Sequence, residues 1–146
     1  MTTREVVLEI PARLDYLAVV RLVVATAASL DPPLSDSRLE DLRLAVSEAC
    51  SNAVKAHAKE ASPEPVTIRC HVGPESFIVE IIDHGPGFDP DELSVLPEVT
   101  DPERLDHEGG LGIPLIKVLA DRASFRQHQN GMAVKMTFDR PSTSAT

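Results

Sequence analysis

The chain has no tryptophan, one tyrosine and four phenylalanines in 146 residues, so aliphatic side chains and alanine have to build its core. Cysteine is almost as scarce. Cys50 and Cys70 stand far apart without a CxxC companion, which excludes a disulfide scaffold and reads as two buried, reduced thiols. His71, His84, His107 and His128 form no spaced ligand set, and a zinc site is not expected. Positive charge is in deficit: 14 Lys and Arg face 23 Asp and Glu, a net −9 with histidine neutral. A chain that coats nucleic acid needs clustered Lys and Arg against phosphate, so direct nucleic-acid binding is not expected. Long apolar runs are missing too. The most apolar stretch, Tyr16 to Ala28, is broken by Arg21 and is too short to cross a bilayer. The opening MTTREVVLEI lacks the charged-then-apolar order of a leader. These absences point to a cytoplasmic protein with no membrane segment.

What is present is ordinary for a globular domain: 42% hydrophobic and 25% charged residues. The length predicts a single domain over residues 1–140, which buries roughly 70% of its unfolded surface. The Pro141-to-Thr146 tail reads as disordered. Glu5–Ile10 reads as a strand and residues 12–29 as a strongly apolar helix, ended by Asp31-Pro32-Pro33. Ser37 with Glu40 three residues later predicts a capping box opening a second helix to about Ala58. Pro65–Val72 and Phe77–Asp83 read as a hairpin around Gly73-Pro74. Leu111–Asp121 reads as a helix with Pro114 in its first turn. Ala123–Gln129 and Met132–Asp139 form a last hairpin around Asn130-Gly131. The order β-α-α-β-β-loop-α-β-β predicts an α+β two-layer sandwich: a mixed, mostly antiparallel sheet with helices on one face. A first helix apolar on nearly every side has to bury both, on a second copy of the chain or on a partner.

The segment between Phe88 and Gly110 has Pro90, Pro97 and Pro102 and no periodicity, and sets eight carboxylates against Arg104 alone. It is a solvated acidic loop or a lid over a ligand. Its flanks carry the chemistry. Asp83-His84-Gly85-Pro86-Gly87 follows an apolar strand, placing one carboxylate beside backbone that a flat ligand can approach closely; alone, it is also an ordinary turn. Glu108-Gly109-Gly110-Leu111-Gly112 runs into a helix, whose N-terminal N–H groups and dipole suit phosphate. It matches neither the P-loop nor the full dinucleotide pattern, and alone it is also a structural helix entry. On the second helix Glu48, Asn52, Lys55 and Lys59 form one polar stripe. A carboxylate and a carboxamide one turn apart suit a base beside a hard-cation ligand; alone, they are also a solvated face.

Taken in order, Glu48-xxx-Asn52, Asp83-x-Gly85-x-Gly87, a long loop and Gly110-x-Gly112 resemble the ATP-binding fold shared by gyrase, Hsp90, histidine kinases and MutL (the GHKL superfamily). LRLAVSEACSNAV, VEIIDHGPGFDP and GGLGIPLIKVLAD resemble the small anti-sigma-factor serine kinases of bacterial partner switching, over about residues 5–139. The resemblance implies ATP and Mg2+ as cofactors. It implies Glu48 as the group that polarises or deprotonates the attacking hydroxyl, and Asn52 as the Mg2+ ligand. Asp83 is implied as the acceptor from the adenine amine, with Gly85 and Gly87 giving the base room. Gly109, Gly110, Leu111 and Gly112, with the helix they open, are implied to hold phosphates, and Lys55 to add positive charge. Three positions depart from the pattern. Ala56 stands where relatives commonly carry a histidine, with His57 about 140° from Asn52 around the helix; Glu108-Gly109 stands where many carry an arginine; and Gly131-Met132 replaces a late Gly-Thr. These departures bear on phosphoryl transfer more than on nucleotide binding.

The resemblance thus implies an anti-sigma factor that is also a serine/threonine kinase. It would sequester a sigma factor, phosphorylate an anti-anti-sigma (STAS-type) protein, and form a homodimer. The alternatives are a nucleotide-dependent module that clamps a regulatory partner without phosphoryl transfer, and a detached histidine-kinase-like ATPase domain.

Overall fold

The computed structural model describes residues 4–30, 33–84, 112–128 and 131–140. Gly85, Gly87, the acidic segment, Gly109, Gly110, Leu111 and the tail lie outside the described residues. The elements run β1 (Arg4–Ile10), a 3-10 turn (Leu14–Tyr16), α1 (Leu17–Ala28), α2 (Asp36–Glu60), β2 (Val66–Val72), β3 (Ser76–Ile82), α3 (Gly112–Leu119), β4 (Arg122–His128) and β5 (Gly131–Asp139).

Side-chain alternation builds the sheet. In β2, Val66, Ile68, Cys70 and Val72 are buried and the residues between them are not, the period of two that a strand with one wet face requires. Phe77, Val79 and Ile81 of β3 and Met132, Val134, Met136 and Phe138 of β5 continue the same face. Register brings them side by side: Cys70 opposite Val79, Val79 opposite Met136, and Phe77 opposite Phe138. The strand order is β1-β2-β3-β5-β4. Every pairing among the described residues is antiparallel, which narrows the mixed sheet expected from sequence. The opposite face carries charge, with Arg69 across from Glu80 and Glu80 across from Lys135.

The three helices cover the apolar face, giving the two-layer α+β sandwich. Leu42, Ala45, Val46, Ala49, Cys50 and Ala53 of α2 are almost wholly buried, and the small side chains let the helix lie close to the strands. Burial pushes the Cys50 and Cys70 thiols up to about 12, so both stay protonated and free.

Helix boundaries differ from the sequence reading in three places. Residues 12–29 are not one helix: Arg13 is extended (φ −138, ψ 139) and its N–H bonds the Pro11 carbonyl, a tight turn that carries the chain from sheet to helix layer. The N-cap of α2 is Ser35, not Ser37; its side chain accepts from the Arg38 N–H at 3.3 Å. The third helical residue is then Arg38, so no capping box forms. Leu34 just outside and Leu39 just inside the helix both join the core, a hydrophobic staple that sets the start two residues earlier. At the far end, α2 runs on to Glu60 and closes with Ala61 in the left-handed region (φ 51, ψ 38). The Ala61 N–H reaches the Ala58 carbonyl and the Ser62 N–H the His57 carbonyl, a Schellman closure made without glycine.

Arg38 fixes α2 against the turn after α3. Its guanidinium bonds Asp41 at 2.7 Å, the Leu119 carbonyl at 3.0 Å and Asp121 at 3.0 Å, and lies 5.1 Å from the Phe138 ring centroid. The Leu119 carbonyl is one that the end of α3 leaves without a helical partner. No helix among the described residues is long and apolar enough to cross a membrane.

Candidate nucleotide site

Asp83 is the first residue past β3 and is 7% exposed. Its main chain continues the β3–β5 ladder: its N–H donates to the Met132 carbonyl at 2.9 Å, and its carbonyl accepts from the Met132 N–H at 3.3 Å. The same N–H also reaches Asp83 Oδ1 at 3.2 Å. A carboxylate has about four lone-pair sites, so this tether is compatible with a further donor from a ligand. Gly131 makes the approach possible. It opens β5 opposite His128 rather than forming the hairpin turn, and a Cβ there would collide with the Asp83 carbonyl. The sequence reading placed this glycine in the turn; the structure requires it for close packing of backbone.

The next peptide is held from the other side. His84 donates its backbone N–H to His57 Nε2 at 2.7 Å, and the two rings meet edge to face with centroids 6.1 Å apart. His57 is 1% exposed. Burial lowers its pKa below the ordinary 6.5, with Asp83 pulling the other way. Its Nδ1 is buried without a partner at full hydrogen-bonding geometry, while the Glu64 backbone lies near enough to favour a proton on the ring.

Glu48, Asn52 and Lys55 lie on a half-buried stripe of α2. Among the described residues none of these three side chains makes a hydrogen bond or ion pair, although each is partly withdrawn from water. Their polar ends remain open to solvent and hence to a ligand. At 1.5 Å rise per residue, Asn52 lies about 7.5 Å and Glu48 about 13.5 Å along the axis from His57. The helix therefore runs from the Asp83 end toward the stripe. Gly112 opens α3, which packs against α2, and Pro114 sits in its first turn as expected.

The structure thus brings Asp83 together with His57, His84, Gly131 and Met132, and aligns Glu48, Asn52 and Lys55 on one helix that joins the two groups. Gly85, Gly87, Gly109, Gly110 and Leu111 fall outside the described residues. Sequence reasoning weighed His57 only by its angle from Asn52. A different signal was available: it follows Ala53 and Val54 at offsets of four and three, on the apolar stripe rather than the polar one.

Five antiparallel strands under three helices, with an acidic side chain closing the third strand and a Glu-xxx-Asn helix beside it, define an ATP-binding domain of known type. The histidine kinase-like ATPase domain family matches residues 10–138, and the chain belongs to it, among the relatives of the RsbW serine-protein kinases. It is 36% identical over 133 residues to serine-protein kinase RsbW of Bacillus subtilis, covering 89% of this chain and 82% of that protein. It is 32% identical over 136 residues to serine-protein kinase RsbW of Listeria innocua, covering 91% and 85%. The fold is shared with the RsbU and RsbW domains of a Mycobacterium tuberculosis protein, at a TM-score of 0.66 and 16% identity; the match covers 95% of this chain and 34% of that one.

Proposed function

We propose that the protein is an anti-sigma factor that binds Mg-ATP and phosphorylates a serine or threonine of an anti-anti-sigma protein. The observation that carries this reading is the Glu48–Asn52–Lys55 stripe on α2, the helix whose His57 bonds the peptide after a pinned Asp83, in a chain related over most of its length to serine-protein kinases. Asp83 accepts from the adenine amine. Gly85 and Gly87 give the base room, and Gly109, Gly110, Leu111 and Gly112 offer backbone N–H groups to phosphate. Asn52 offers its amide oxygen to Mg2+, a hard cation that keeps several waters and is commonly held by one or two side chains plus phosphates.

Bound ATP supplies the phosphoryl group. Glu48 would take the proton from the attacking hydroxyl as its oxygen bonds the γ-phosphorus, while the bond from that phosphorus to the β–γ bridging oxygen breaks and ADP leaves. Lys55 adds a positive charge against the phosphates.

The exposed apolar residues Leu14, Val19 and Leu22, with Leu44 of α2, support a homodimer or a sigma-binding surface, as the two-sided apolar first helix suggested. The reduced thiols and the lack of a spanning helix among the described residues accord with a cytoplasmic location.

Incubation with Mg2+, γ-labelled ATP and a candidate STAS-type partner should place label on a serine or threonine of the partner. Label that never transfers, with ATP still bound and the partner still captured, would leave the clamp without kinase activity.

A further inference from the structure

One hydrogen bond joins α2 directly to the loop that carries the adenine carboxylate. His84 N–H donates to His57 Nε2 at 2.7 Å, and the peptide so held is the one immediately after Asp83. On its other side Asp83 is held by Met132. We infer that His57 is a positioning residue for nucleotide binding: its neutral imidazole, accepting at Nε2, sets the Asp83–His84 peptide and with it the direction of the Asp83 carboxylate. This rests on the reading of Asp83 as the adenine acceptor.

The geometry dictates the chemical state of the ring. A neutral imidazole has one donor and one acceptor nitrogen, and Nε2 accepts here, so the proton resides on Nδ1. The nearby Glu64 backbone favours that tautomer. A protonated ring has no acceptor, so its Nε2–H would oppose the His84 N–H and release the peptide. The charged and titratable groups facing the ring are Asp83 and His84 at the end of β3 and Glu64 from the α2–β2 connection. Burial is the largest influence and holds the ring neutral. A folded-state pKa below the ordinary 6.5 means the contact is complete above that value and is lost as pH falls through the folded pKa.

The test uses the full chain and two substitutions. His57→Gln keeps an acceptor near the Nε2 position and cannot titrate; His57→Leu keeps bulk and removes the acceptor. Metal-free ADP and inorganic tripolyphosphate are the probes, with binding read by calorimetry and folding by thermal melting. His57→Leu should weaken ADP about fivefold to tenfold and leave tripolyphosphate unchanged, because the phosphate end does not depend on Asp83. His57→Gln should restore ADP affinity to within about twofold. Wild-type ADP affinity should fall in acid below the ordinary histidine range, and that fall should be smaller in His57→Gln. Nitrogen shifts of the ligand-free wild type should show Nδ1 protonated and Nε2 bare, a readout that survives if His57→Leu does not fold. A folded His57→Leu protein that binds ADP like the wild type, or a proton on Nε2, would overturn this inference alone. Wild-type protein that binds tripolyphosphate but not ADP would overturn the adenine reading and this inference with it.

Discussion

The N–H of Met132 points at two acceptors of Asp83, the carbonyl oxygen at 3.3 Å and Oδ1 at 3.2 Å, while the Met132 carbonyl accepts the Asp83 N–H at 2.9 Å. One residue of β5 therefore orients both the backbone and the side chain of the carboxylate. The Asp83 carboxylate, proposed above to accept from adenine, is thus anchored on the sheet side by Met132, while the His84 peptide that follows it is held by His57.

Asp83→Asn should abolish adenine-nucleotide binding and leave the fold intact. The carboxamide oxygen can still accept from the Met132 N–H, but its NH2 presents a donor where the adenine amine needs an acceptor. A mismatched buried polar pair costs about 1–3 kcal/mol, and sites built on such a bond discriminate strongly. Calorimetry should detect no ATP binding in a protein whose melting temperature is close to wild type; unchanged affinity would remove the adenine assignment.

Asn52→Ala and Glu48→Gln should separate binding from chemistry. Loss of Asn52 should weaken Mg-ATP much more than metal-free nucleotide, because only the cation loses a ligand. Glu48→Gln should retain binding and slow phosphoryl transfer by about 10²- to 10⁴-fold. Transfer at the wild-type rate in Glu48→Gln would refute its role as base.

Gly131→Ala should destabilise the protein and weaken ADP together. The added Cβ would meet the Asp83 carbonyl, and relief requires β3 and β5 to part at their ends. Overpacking of this kind costs about 1–3 kcal/mol. Denaturant titration reads the first effect and nucleotide titration the second. A neutral outcome in both would show that the strands separate there without cost.

Ala61→Gly should stabilise the protein by about 0.5–1 kcal/mol, since glycine adopts the left-handed closure of α2 without the Cβ clash but loses more entropy on folding. The melting temperature should rise by roughly 2 °C, and nucleotide affinity should not change. A fall in melting temperature would mean that Ala61 makes a contact worth more than its backbone strain.

The sequence by itself determined the order and type of every strand and α-helix among the described residues, though not the 3-10 turn before α1, because period-two runs such as 66–72 and 76–82 and the apolar stripe of α2 are local patterns that no tertiary contact has to create. It also determined the polar stripe of Glu48, Asn52 and Lys55, since 3.6 residues per turn fixes which side chains share a face. Helix ends were less legible. Ser35 and Ser37 are both good caps, and the burial of Leu34 beside Leu39 decided between them. Tertiary structure alone decided the surroundings of Asp83. Gly131 reads as a turn residue until β5 is laid against the end of β3. His57 gains a role only when the His84 N–H arrives from 27 positions away. Both roles come from close approach between segments distant in the chain, and no local periodicity encodes a distance of that kind.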